Sequence, residues 1–211
     1  ALKTVREKAQ RISCTNNIKQ INTCEQLYSG DQNDYAAFGR DMNAKEFWYH
    51  LLKPYAAGLF SRVKPVKRET CNAMCPSAWA EDGIAFSDGV VDFKQNDYGG
   101  YVHNPCSGYR KTGAEVYPVV KMTQIKNATH KITVLDGVLA CNSEYFSKLF
   151  PDSADLGNSI VRWLRHANLS VNAGFYDGHA ASLRYPGKYN MKYPDPSSTL
   201  NVGNYFLELK E

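Results

Sequence analysis

The side chains best suited to chemistry lie near the end of the chain. His166, Asp177 and His179 supply two imidazoles and a carboxylate. That set can hold a divalent metal or act as an acid–base pair, which makes a metal-dependent hydrolase one reading of the sequence. A second reading is structural. Asp177-Gly178 sits between two extended runs, Val171–Tyr176 and His179–Leu183, and an Asp-Gly dipeptide there predicts a type I′ hairpin. The Asp177 side chain would then bond its own turn. His166 would be a buried, hydrogen-bonded residue that links a helix end to the hairpin.

Two further groups carry donors. Asp31, Asn33 and Asp34 follow one another closely and offer oxygens to calcium. The segment lacks the Gly and Glu of an EF-hand loop, and a solvated loop capping the helix end is the better account of it. The six cysteines are Cys14, Cys24, Cys71, Cys75, Cys106 and Cys141. An even number suits disulfides in an oxidising compartment. Cys14 and Cys24 lie on one predicted helix, roughly 15 Å apart, so they cannot pair with each other. One of them meeting the Cys71/Cys75 pair would staple the helix to the body. A zinc site at Cys71-x3-Cys75 would need two more ligands, and none is close in sequence. No nucleophile elbow, phosphate loop or His-Glu-x-x-His is present.

These residues need a scaffold, and residues 1–28 organise it. Leu2, Val5, Ala9 and Ile12 recur at helical spacing, and Ile18, Ile21, Cys24 and Tyr28 continue the stripe. Gly30 is expected to stop the helix in the left-handed conformation. No Ser, Thr, Asp or Asn caps its start, which predicts a chain cut from something longer. Asn43 is expected to cap a second helix, with Glu46 completing a capping box. Phe47, Trp48, Leu51 and Leu52 would form its apolar face, and Pro54 would end it. Strands are expected near 84–86, 90–93, 98–102, 119–122, 132–135 and 204–209. A short helix is expected from about Asn158 to His166, and a loop at 185–198.

Composition narrows the classes. The chain has 211 residues, 43% of them hydrophobic and 22% charged, so it can bury a core. The 14 tyrosines, 15 glycines and 9 prolines favour a turn-rich, strand-containing body. Residues 1–20 carry Lys3, Arg6, Lys8, Arg11 and Lys19 against Glu7, so the net charge of +4 resides in that helix. A basic helix suits a solvated face or an anionic membrane surface. No second basic cluster supports nucleic-acid binding.

The segment ALKTVREKAQRISCTNNIKQI resembles the stretch after the apolar membrane helix in type IV pilin-like and type II secretion pseudopilin-like proteins. More narrowly, it resembles prepilin-like proteins with a C-terminal His-x9-Asp-Gly motif. Cys14, Asn17, Lys19 and Gln20 match their Cys-x-x-Asn-Leu-Lys-Gln. Cys75-Pro76-Ser77 and Arg165-His166 with Asp177-Gly178 match later elements, although here the spacing is His-x10-Asp-Gly. Leu52-Lys53-Pro54-Tyr55 and the acidic loop after the helix also fit. The likeness spans Ala1 to about Leu183.

It implies an α+β, pilin-like fold, with helix 1–30 packed on an antiparallel sheet in a body of residues 31–211, all one domain. It also implies a bacterial protein on the periplasmic or cell-surface side, anchored to the inner membrane through an apolar helix upstream. Its partners would be other pilin-like subunits or secretion machinery. Its role would be structural rather than enzymatic, with no cofactor beyond a possible calcium. An alternative from another class is a glycan- or protein-binding module using the Tyr-, Trp- and Asn-rich loops of residues 79–115.

Overall fold

A computed structural model describes residues 2–41, 44, 46–56, 58–60, 75–77, 84–86, 89–91, 100–104, 107–111, 114–117, 119–137, 165–166 and 170–184. The architecture is α+β. Helix α1 (Leu2–Asp31) runs for 30 residues, and α2 (Trp48–Leu52) is a short second helix. The strands are β1 (Arg40–Asp41), β2 (Glu46–Phe47), β3 (Ile84–Phe86), β4 (Gly89–Val91), β5 (Tyr101–His103), β6 (Tyr109–Lys111), β7 (Ala114–Tyr117), β8 (Ile132–Asp136), β9 (Ser170–Phe175) and β10 (Ala180–Arg184). The main sheet is antiparallel in the order β10-β9-β8-β5. A second sheet, β2-β1-β6-β7, contains one parallel pair, β1 with β6. Strands β3 and β4 form a separate hairpin. Among the described residues no helix is long and apolar enough to cross a membrane.

Helix α1 docks through its second half. Cys14, Ile18, Ile21 and Cys24 join Trp48, Leu52, Phe60, Cys75, Tyr101 and Val134 in one apolar cluster. Its polar side chains reach the strands: Thr15 Oγ1 donates to Asn172 Oδ1, Asn22 Nδ2 to the His179 carbonyl and Gln26 Nε2 to the Tyr176 carbonyl. The first half is different. Leu2, Val5 and Ile12 are 87%, 64% and 61% exposed.

The helix end differs from expectation. It runs through Gly30, and Asn33 and Asp34 take the left-handed conformation (φ 53° and 72°). Asp34 N–H bonds the Ser29 carbonyl at 2.8 Å, closing a Schellman-type turn with Asn33 in the place usually held by Gly. Asn tolerates that conformation because its short polar side chain can bond locally.

The second helix also starts later than its cap residues suggest. Glu46 pairs with β1 as part of β2, and α2 begins at Trp48. His50 Nδ1 accepts the Phe47 N–H. Pro54 does not stop the chain turning: Lys53–Tyr55 continue as a 3-10 turn, whose first positions tolerate proline. Residues 119–122 form no strand. Lys121 makes a single bridge to Tyr35 and Met122–Gln124 coil into a 3-10 turn. The expected strands at 84–86 and 132–135 are present, and those near 90–93 and 98–102 are shifted to β4 and β5. Those expected at 204–209, the helix before His166 and the loop at 185–198 lie outside the described residues.

The β9–β10 hairpin is where its sequence placed it, with a different turn. Gly178 N–H bonds the Phe175 carbonyl and Phe175 N–H bonds the His179 carbonyl. Three residues, Tyr176 to Gly178, lie in the loop, and only Gly178 has positive φ, at 93°. This is a type I turn closed by a glycine bulge, not the two-residue type I′ turn.

Gly174 on β9 marks the closest approach of helix and sheet. A Cβ there would lie 2.5 Å from Asn22 Oδ1 and 2.6 Å from its Nδ2. Asn22 cannot swing away freely, because Thr133 Oγ1 and the His179 carbonyl hold both ends of its amide. Gly174→Ala is therefore expected to cost about 1–3 kcal/mol through overpacking. A urea midpoint unchanged from wild type would show that α1 can shift at no cost.

Candidate functional site

Four donors from four distant parts of the chain meet beneath α1. Cys14 comes from the helix, Cys75 from the Cys-Pro-Ser segment, Asp136 from the end of β8 and His166 from a bridge to Ser170 at the start of β9. Their donor atoms all lie within 4.8 Å of one another, and all four residues are buried. Cys14 Sγ donates to Asp136 Oδ1 at 2.9 Å. His166 Nε2 lies 3.1 Å from Asp136 Oδ2 and 3.9 Å from Cys75 Sγ.

The surroundings bind this group tightly. Asn172 N–H donates to Asp136 Oδ2 at 2.6 Å, and Tyr101 O–H reaches Cys14 Sγ at 3.3 Å. Asn172 Nδ2 lies 3.1 Å from His166 Nε2. Arg165 places Nη1 3.6 Å from Asp136 Oδ1, and its guanidinium donates to the Gly100 and Gly137 carbonyls.

Burial and charge act against each other here. Burial opposes ionisation of Asp136, but the His166 hydrogen bond and the Arg165 charge outweigh it and hold the carboxyl below its ordinary range. Burial also opposes a charged His166. Its bonds to Asp136 and Cys75 prevail and raise it to about 9. Burial would raise the Cys75 thiol, yet contacts with Cys14 and His166 and the charge of Arg165 bring it down to about 6. Cys14 goes the other way, well above its ordinary value, through burial, its bond to Cys75 and the charge of Asp136.

The residues singled out by sequence separate into different places. His166 is in the buried cluster. Asp177 and His179 are not. They sit on the exposed hairpin turn, where Asp177 Oδ1 accepts the His179 N–H and lies 2.5 Å from its Nδ1, while the His179 ring stacks on Phe175. Among the described residues, the expected metal trio His166, Asp177 and His179 forms no metal-competent group. Turn formation claims Asp177 and Gly178, as the structural reading anticipated.

In the acidic loop, Asp34 Oδ2 accepts from Thr123 N–H and Oγ1, and Asp31 Oδ2 accepts from Tyr55 O–H at 3.0 Å. Those bonds lower the Asp34 carboxyl below its ordinary value. Asn33 takes the left-handed turn position. Cys24 is a free thiol in the apolar core, pushed up to about 11 by burial. Cys14 and Cys75 are also free thiols, and Cys14 is the helix cysteine that meets Cys75. Cys71, Cys106 and Cys141 lie outside the described residues.

Sequence reasoning did not identify Asp136, Arg165's contact with it, or a second polar group under α1. There, Glu25 Oε1 lies 2.6 Å from His103 Nε2, and Glu25 Oε2 accepts the Ala37 N–H. Ser107 Oγ lies 3.4 Å from His103 Nδ1. Carboxylate, imidazole and hydroxyl follow the order of a nucleophilic triad. Ser107 is 0% exposed and donates its proton to the Asn104 carbonyl at 2.9 Å rather than to His103. An acidic residue on the buried face of α1 was the available signal.

No family model, curated protein or solved structure matches the chain.

Proposed function

We propose that the chain is the globular part of a pilin-like structural subunit of a type II secretion or type IV pilus-like assembly, without catalytic turnover. It works on the periplasmic or cell-surface side of the inner membrane, anchored through an apolar helix upstream. The carrying observation is the division of α1. Its second half is buried in the body, whereas its first half leaves Leu2, Val5 and Ile12 exposed beside Lys3, Arg6, Lys8 and Arg11. An isolated helical segment of a dozen residues is marginal in water, and exposed apolar residues on one are an interface in search of a partner. Neighbouring pilin-like subunits would cover that apolar stripe, and lipid headgroups would attract the basic residues.

Both buried polar groups are consistent with a structural role, since each joins α1 to the body. The metal-hydrolase reading loses its proposed trio of ligands. The glycan-binding reading rests on residues 79–115, about half of which lie outside the described residues.

A photo-crosslinking side chain at Val5 or Ile12, introduced in the producing organism, is expected to give adducts with like subunits. The same group at Gln20, exposed on the docked half, should give few. Equal labelling at all three positions, or none, would sink the proposal. So would an upstream coding sequence without about 20 apolar residues behind a short basic leader.

A further inference from the structure

We propose that Cys14, Cys75, Asp136 and His166 form a tetrahedral site for a zinc-type divalent cation, which locks α1 to the body. Two thiolates, one carboxylate and one imidazole are a donor set for zinc-type metals, whereas magnesium and calcium need oxygen-rich sites. A tetrahedral zinc centre has donor–donor edges of roughly 3.3–3.8 Å. The separations here are 2.9 Å for Cys14–Asp136, 3.1 Å for Asp136–His166 and 3.9 Å for His166–Cys75. The two Asp136 distances involve different carboxylate oxygens, and the remaining donor pairs lie within 4.8 Å, so side-chain shifts of up to about 1 Å bring the four donors to tetrahedral edges.

The charges also close. Two thiolates, a carboxylate and a neutral imidazole around a divalent cation leave one net negative charge. Arg165, 3.6 Å from Asp136 and fastened by two backbone carbonyls, cancels it. The outer contacts are those that steady metal ligands: Asn172 N–H on the Asp136 carboxylate and Tyr101 O–H on the Cys14 sulfur. Asn172 Nδ2 gives up its approach to His166 Nε2 and keeps the bond from Thr15 Oγ1 on its carbonyl. Binding releases two protons, one from the Cys14 thiol and one shared by Cys75 and His166, and no electron moves. With all four donors buried, the metal is structural. It closes links between residues 14, 75, 136 and 166 that the unfolded chain leaves open.

The test uses the whole chain, kept reduced and refolded from a metal-free denatured state. Zinc is expected to bind at one equivalent. Cobalt should give the intense visible bands and sulfur-to-cobalt charge transfer of a tetrahedral thiolate site. Cys75→Ser and His166→Gln should abolish stoichiometric uptake, and Cys24→Ser, a buried cysteine outside the cluster, should retain it. Arg165→Gln should weaken affinity by about 10–100-fold. If the ligand variants fail to fold, the cobalt spectrum of the wild-type chain decides alone. Reduced, folded wild type that takes up neither metal overturns the proposal. So does a Cys14–Cys75 disulfide in protein isolated from its natural source, because that bond would consume two of the ligands.

Discussion

Asp136→Ala is expected to lower the unfolding free energy by about 3–5 kcal/mol, measured by urea denaturation in reducing buffer with chelator present. Asp136 is fully buried and is the common acceptor of its cluster. Alanine would leave the Asn172 N–H without its 2.6 Å acceptor and the buried Arg165 charge without its carboxylate. Losing one partner of a buried ion pair costs more than losing a neutral hydrogen bond. Asp136→Asn keeps the shape and one acceptor oxygen, so its cost should be smaller. A loss under about 1 kcal/mol for the alanine variant would show that water or a rearranged Arg165 replaces the carboxylate.

The pH dependence follows from the same cluster. The Asp136 carboxyl is held low in the fold, so its stabilisation is present above the unfolded value near 3.9 and is lost as pH falls through the lower folded value. His166 is raised from 6.5 to about 9, so its contribution is full below 6.5 and is lost as pH rises through 9. Cys75 is lowered from 9.0 to about 6, so its contribution is present above 9 and is lost as pH falls through 6. The last two slopes oppose each other over the same window. Metal-free wild type should therefore hold nearly constant stability from pH 6 to 9, whereas Cys75→Ser, in which Asp136 alone still raises His166, should lose stability as pH rises above 6.5. A flat profile in that variant would refute the coupling.

How far the fold was legible depended on the range of the interaction. The periodicity of Ile18, Ile21, Cys24 and Tyr28 pointed to the docked face of α1, and the structure packs all four against the body. The same periodicity in Leu2, Val5 and Ile12 said helix but could not say what covers it. Gly30 drew the predicted helix end because glycine favours the left-handed conformation. Asn33 took that role three residues later, where Asp34 could close the turn on Ser29. At Glu46 the expected capping-box role lost to pairing between β2 and β1, a contact that cap chemistry does not include; Asn43, the expected cap, lies outside the described residues.

The cluster was legible in pieces. Helix geometry excluded Cys14–Cys24 pairing, and a disulfide staple was expected from one of them to the Cys71/Cys75 pair; the structure brings Cys14 to Cys75, but both are free thiols. The strand expected at 132–135 stops one residue short of Asp136. Nothing local distinguishes a turn aspartate from one that waits for Arg165 and His166, some 30 residues on. His166 and Asp177 are close in sequence, and that suggested a shared site. The strand β9 between them carries them apart, one to the buried end and one to the exposed turn.

Trp48→Ala is expected to cost a further 3–5 kcal/mol or so, the range for emptying a large aromatic site. Trp48 is 1% exposed and sits where α2 meets both the helix and the main sheet. Its ring stacks on His103 at 5.4 Å and meets Phe60 edge-on at 6.0 Å. Removing it opens a cavity beside the buried Glu25–His103 contact, whose 2.6 Å geometry depends on the imidazole plane. The loss has two parts, lost packing and lost restraint on that polar pair. Trp48→Phe keeps a flat ring over His103 and should recover about half the cost. Phe47→Ala, at a half-buried neighbour that stacks on Tyr49, should cost clearly less. Double substitution with Glu25→Gln separates the parts. Coupling of 0.5 kcal/mol or more means that Trp48 acts partly through the Glu25–His103 pair. Strict additivity means that it only fills space, and an alanine cost near that of Phe47→Ala would show that α2 is not part of the cooperative core.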